Sequence, residues 1–211
     1  MKDQTLTLAV SGQLWNRSLV MIDTQTKSLW SHILGECMSG ELKGAQLQPL
    51  VGDMLTWKAW RAEHPQTTVL NLSRTSNDYG REAYNKPERF VYGLLVNGQP
   101  RHLSMVSLSK SPIVNVQDPR EPTVVVFDQE STLVRAFLRR VNDRDSLFSA
   151  ADDGHMRDDA TGSTWDCLTG TAVDGPLKGK QLEAVAGIMS FKNAWMTFHP
   201  DSQEVKVPSN S

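Results

Sequence analysis

The side chains in this sequence best suited to chemistry are His32, Cys37 and Cys167. A thiol beside an imidazole can become an activated nucleophile, and the same nitrogen and sulfur donors make a soft metal site. Their spacing does not enforce a meeting, and the two cysteines match no zinc-ligand pattern. His64 and His199 each follow a tryptophan, Trp60 and Trp195, by four residues, which places ring and imidazole on one helix face. Asp152, Asp153, Asp158 and Asp159 bracket Gly154-His155-Met156, but their spacing does not follow a calcium loop and a solvated loop is the plainer reading. Gly35 and Gly40 have the spacing of a phosphate loop. Glu41-Leu42 follow where Lys and Ser/Thr are required, so that reading fails. No serine-hydrolase elbow or H-E-x-x-H signature occurs.

An internal comparison sorts these candidates. Residues 21–65 recur without a gap at 156–200, at a constant offset of 135 residues. Eighteen of the 45 aligned pairs are identical, including Met21/Met156, Trp30/Trp165, Trp60/Trp195 and His64/His199, which sets the match far above chance. Residues shared by both copies serve what both copies do, which is to fold. Asp23, Trp30, Trp60 and His64, with Asp158, Trp165, Trp195 and His199, are therefore read as structural anchors. Any activity belongs to positions where the copies differ. His32 faces Cys167 in the alignment, Cys37 faces Ala172, Trp57 faces Lys192 and Asp53 faces Ile188. These differences nominate His32, Cys37, Trp57, Cys167 and Lys192 as ligand-binding candidates.

The elements that must position them read as follows. Each copy opens with a hairpin, Leu19–Ile22 returning through Ser28–Trp30, and the second copy turns at Asp159-Ala160-Thr161-Gly162. Asp23 and Asp158 can accept hydrogen bonds from the turn amides, with a threonine hydroxyl close by. Recurrent glycines imply tight corners in a bent sheet. Each copy closes with a short helix, capped by Thr56 or Ser190 and stopped by Pro65 or Pro200. Between the copies, Phe90–Val96 leads through Asn97-Gly98 towards an expected strand at Leu103–Leu108. A second hairpin is expected over Thr123–Phe127 and Leu133–Leu138. Ser73 to Pro87 reads as a polar loop containing Tyr79 and Tyr84, and residues 206–211 as a tail.

These motifs resemble a bacterial family catalogued as domain of unknown function 3179. The resemblance rests on Val10-Ser11-Gly12, Met21-x-Asp23-x-x-Thr26-x-Ser28-Leu29-Trp30, and Trp57-x-x-Trp60-x-x-x-His64-Pro65. It rests equally on Asp158-x-x-Thr161-Gly162-Ser163-x-Trp165 and on Gly175-Pro176-Leu177-Lys178-Gly179 through His199-Pro200. It covers nearly the whole chain and implies no activity. Family members usually carry an upstream Cys-Pro-Leu-Cys motif. This chain begins downstream of that point, and Cys37 and Cys167 do not replace it. The resemblance points towards export, although the chain shows no export signal and its location stays unassigned.

Composition bounds the rest. A net charge of −2 over 211 residues offers no basic field for nucleic acid, and no stretch approaches a membrane span. The expected fold is mainly β (α+β). Two pseudo-symmetric curved β units, shaped as small barrels or sheets, each carry a short helix and are joined by a β-meander. Together they make one domain over 1–211, with copies at 21–65 and 156–200 and a connecting β region at 66–155. The expected function is a non-enzymatic module that binds a small ligand or a protein, with no cofactor and with a homodimer formed through an open sheet edge. The competing reading is a metal- or thiol-dependent enzyme using His32, Cys37 and Cys167.

Overall fold

The computed structural model describes residues 5–69, 86–142, 144–152 and 154–207. Tyr79, Tyr84, Asp153 and the end of the tail lie outside them. β-Strand dominates, with three short helices among the described residues, and no sheet closes into a barrel. The chain divides into two compact units, Met1–Leu50 with Asn193–Asp201 and Val51–Lys192 with Ser202–Ser211.

The first unit is built on one antiparallel sheet in chain order: β1 (Leu8–Trp15), β2 (Ser18–Asp23), β3 (Leu29–Ser31) and β4 (Cys37–Ser39). Its core is small. Trp30, Cys37 and Leu42 are buried, with Leu6, Leu8, Met21, Ala45 and Leu47 packed around them.

The second unit stacks three sheets. The first joins β5 (Phe90–Val96) and β6 (Gln99–Ser104) with β17 (Gly187–Phe191) and β18 (Gln203–Glu204). Asn97 and Gly98 at φ 51° and 71° make the tight turn between β5 and β6. The second sheet joins β7 (Ile113–Val116), β8 (Thr123–Phe127), β9 (Val134–Leu138) and β16 (Ala184–Val185). The hairpin of β10 (Arg140–Val141) and β11 (Arg144–Asp145) precedes the third. That sheet is β12 (Phe148–Ala150), β13 (His155–Asp158), β14 (Thr164–Asp166) and β15 (Ala172–Asp174). The middle sheet is apolar on both faces, which is why Thr123–Val126 reads as an unbroken buried run rather than an alternation. Val114, Val116, Val125 and Ala136 join the core under β5 and β6. Val124, Val126 and Phe137 join the other, around Trp165.

The helices are α1 (Trp57–Glu63), α2 (Met105–Lys110) and α3 (Lys192–Phe198). Two expectations need correcting. The strand expected over Leu103–Leu108 stops at Ser104, whose hydroxyl accepts the Ser107 N–H at 3.0 Å and starts α2. Capping chemistry outweighs the apolar run there. Thr56 caps α1 through the Ala59 N–H as expected, but Ser190 does not cap α3. It lies within β17, and its hydroxyl donates to the Phe191 carbonyl.

Candidate functional site

The two anchor sets form the same hydrogen-bond chain. Asp23 Oδ1 accepts the Thr26 N–H at 2.5 Å, and Oδ2 accepts the Ser28 N–H at 3.1 Å and the Trp30 indole N–H at 3.0 Å. Asp158 accepts Thr161 N–H, Ser163 N–H and the Trp165 indole at 2.6, 3.1 and 2.8 Å. The threonine hydroxyl donates to the carboxylate, so the serine hydroxyl must donate to the threonine. Each serine then accepts one further amide, Leu42 N–H at 3.2 Å or Leu177 N–H at 3.1 Å. Gly40 and Gly175 are the price of this closeness. A Cβ would sit 2.8 Å from Ser28 Cα at the first, and 2.7 Å from Ser163 Cα at the second. Burial pushes the Asp23 carboxyl up, but its donors outweigh burial and hold it at about 2. A carboxylate so satisfied is a staple and has no lone pair poised to take a proton at neutral pH.

The residues nominated for chemistry sit in differing surroundings. His32 is exposed, with Nδ1 3.1 Å from the Leu19 carbonyl. Cys37 is fully buried, and its thiol donates to the Ser39 carbonyl at 3.4 Å. Burial, then the charges of Asp166 and Asp128, push the Cys167 thiol up to about 12, away from the thiolate a nucleophile needs. Both cysteines are free. Trp57 opens α1 half-exposed, and Lys192 opens α3 half-buried. Among the described residues no three His, Cys, Asp or Glu side chains gather as a metal site.

His64 and His199 stack on Trp60 and Trp195 with centroids 3.9 and 4.1 Å apart. Burial pushes the His199 imidazole pKa down, so its neutral ring favours stacking over any charge–dipole role. In the acidic loop, Asp159 accepts the Leu147 N–H at 2.7 Å, and His155 Nδ1 lies 3.0 Å from the Asp152 carbonyl.

What distinguishes the copies is how their edges end. Met21 pairs with Trp30 and Trp30 with Cys37; at the constant offset, Met156 pairs with Trp165 and Trp165 with Ala172. The outermost strands share the register too, because Leu8 faces Asp23 as Phe148 faces Asp158. The residues just before them, Thr7 and Leu147, bond inward to Thr24 and Asp159. Leu8 and Phe148 therefore point their backbone N–H and C=O outward. On Phe148 both groups are taken by the carboxamide of Asn115, which accepts the N–H at 2.9 Å and donates to the C=O at 2.8 Å. On Leu8, among the described residues, neither is taken. The inward-facing row across the sheet ends in copy two at Ala150. In copy one it ends at Val10, and both end residues are exposed, Val10 to 71%.

A shallow hollow of about 560 Å³ opens beside the far end of β1, lined by Leu14, Trp15, Val20, Leu34, Glu36 and Met38. Trp15 stands edge-on to Phe198, 4.9 Å between centroids.

The profile of a family described as a protein of unknown function (DUF3179) matches residues 1–202. The chain belongs to that family. Searches of curated proteins and of solved structures gave no match. Membership in DUF3179 assigns no reaction, so the function of this DUF3179 chain has to be argued from its own surfaces. Two contributors escaped the motif reading, Asn115 and Arg135. The Arg135 guanidinium grips Asp53 through two hydrogen bonds of 2.9 and 2.6 Å and also donates to the Leu168 carbonyl. The Arg135–Asp53 hydrogen bonds hold the Asp53 carboxyl below, and the Arg135 guanidinium above, their ordinary values. The Asp53/Ile188 mismatch between copies was its one signal; Asn115 had none, because its partner is a backbone 33 residues away.

Proposed function

We propose that this chain is a non-enzymatic β-rich binding module, a duplicated folding block that works as a homodimer in which β1 of one copy adds to β1 of a second. The observation that carries the reading is the contrast between Phe148, whose outward backbone groups are closed by an amide, and Leu8, whose groups are open. An amide is the chemistry of a peptide bond, so an extended strand is what fits beside Leu8. Residues 8–15 carry no charge and no proline, two of the usual guards of an exposed edge, and the register irregularity between Val10 and Leu14 leaves Leu8–Val10 as its regular part. Two such strands can therefore pair antiparallel without opposing like charges, and the pairing would cover Val10 of each chain.

Light scattering at high micromolar concentration tests this. The expected result is a dimer that Val10→Lys converts to a monomer of unchanged melting temperature, since Val10 is already exposed. A wild-type monomer, or a dimer indifferent to Val10→Lys, overturns the reading. A monomer that pairs β1 with a foreign peptide would keep the edge and refute the second copy as its occupant.

A further inference from the structure

β17 shows what the Gly-x-Met stretch of this folding block does when it is paired. Along β5, Gly187 faces Leu94, Met189 faces Tyr92 and Phe191 faces Phe90. The buried ring of Tyr92 rests on Gly187, where an added Cβ would lie only 2.3 Å from the phenol. Glycine is thus required at 187 by an aromatic ring. The first copy carries the same pair, Gly52 and Met54, ahead of the matching helix α1. Here residues 51–55 form no strand and, among the described residues, make no backbone hydrogen bond. Gly52 does not lie in the left-handed region, and among the described residues a Cβ there would meet nothing within 4 Å. Neither backbone conformation nor crowding explains this glycine.

The stretch is nonetheless held in place. Arg135 grips Asp53, and the Thr56 N–H donates to the Ser131 carbonyl at 2.9 Å. Val51, Met54 and Trp57 stay about half exposed. The result is a positioned, unpaired backbone with apolar side chains and an open place over a glycine.

We propose that residues 52–56 bind an extended protein segment carrying an aromatic residue, which adds as a strand with its ring over Gly52, as β5 does on β17. The occupant is defined by what covers the equivalent stretch: a β-strand whose aromatic side chain needs a residue without a Cβ beneath it. The inference goes beyond the homodimer and stands without it.

The test uses the full chain and a synthetic peptide of the β5 sequence Phe-Val-Tyr-Gly-Leu-Leu-Val between lysine pairs, read by amide hydrogen exchange. The peptide is expected to protect residues 52–55, whose amides are unpaired among the described residues. Exchanging its tyrosine for alanine, or Gly52→Val in the chain, weakens binding by about tenfold or more. Gly52→Val leaves the melting temperature unchanged, because the space above it is open, and Val10→Lys leaves peptide binding unchanged. Protection appearing at 187–191 instead, or binding indifferent to Gly52→Val, overturns the proposal. So does protection of 52–55 in the free chain that Tyr79→Ala or Tyr84→Ala abolishes, because the ring would then come from the chain itself.

Discussion

The sheet of β1–β4 and the sheet of β12–β15 share register, turn staple and glycine corners, yet one ends closed and the other open. In the second, Trp165 sits in a ten-residue buried cluster shared with β8 and β9, and Asn115 of β7 finishes the edge. In the first, Trp30 sits in a cluster of three buried residues, and the edge strand ends in exposed Val10, Leu14 and Trp15. The same local chemistry has been set in two different surroundings. The lesson is that the staple makes the sheet, while the neighbours decide whether that sheet binds anything further.

The largest expected effect probes the shared part. Trp30→Ala and Trp165→Ala should each cost about 3–5 kcal/mol in urea denaturation, since both rings are fully buried. A loss at Trp30 below about 1 kcal/mol would break the equivalence of the two anchors. Next comes the closed edge. Asn115→Ala leaves the Phe148 N–H and C=O without partners and should cost about 1–3 kcal/mol. Among the described residues no side chain plays that part for Leu8, so no substitution of one of them should reproduce the loss by opening an edge in the first copy.

Acid stability should fall in two stages. Burial holds His102 and His199 below the ordinary histidine value of 6.5, so in both the folded state resists protonation. Their contribution is present above 6.5 and is lost as pH falls below it. Asp23 is held at about 2 against an ordinary 3.8, so its contribution is present above 3.8 and disappears as pH falls towards 2. Chemical denaturation across pH 2–8 should show both stages, and Asp23→Asn should flatten the lower one. An unchanged lower stage would mean that the staple is not what titrates.

The smallest effect lies in the turn itself. Lys27 holds φ 61° where the second copy has Gly162 at φ 72°. Lys27→Gly should stabilise by up to about 1 kcal/mol, because the strain of a left-handed lysine exceeds the entropy cost of glycine. Gly162→Lys should do the reverse. Thermal melts of the two variants check the pair together.

Much of the fold was legible because its chemistry is local. Asp23 and Thr26 lie three residues apart, so spacing revealed the aspartate turn, though not the serine and indole bonds that complete the staple, and Asn97-Gly98 announced its hairpin. What escaped depended on distant partners or on competing local signals. Leu103–Leu108 has strand composition, but Ser104 caps a helix there. Gly52-x-Met54 and Gly187-x-Met189 look alike, yet only the second meets β5. The rule that activity sits where copies differ led to His32, an exposed imidazole, and to Cys37 and Cys167, two free thiols of which the first is fully buried. The difference between the two edges lies in Asn115, outside the aligned residues altogether. A repeat comparison sees residues and not the neighbours they are given.

The most direct test is amide exchange at Leu8 and Phe148 in one sample, at a concentration low enough to keep the chain monomeric. Phe148, closed by Asn115, should exchange slowly, while Leu8 should exchange at nearly the rate of an open chain and slow only as a second strand arrives. Equal protection of the two amides in the monomer would contradict the claim that the first copy leaves its edge open.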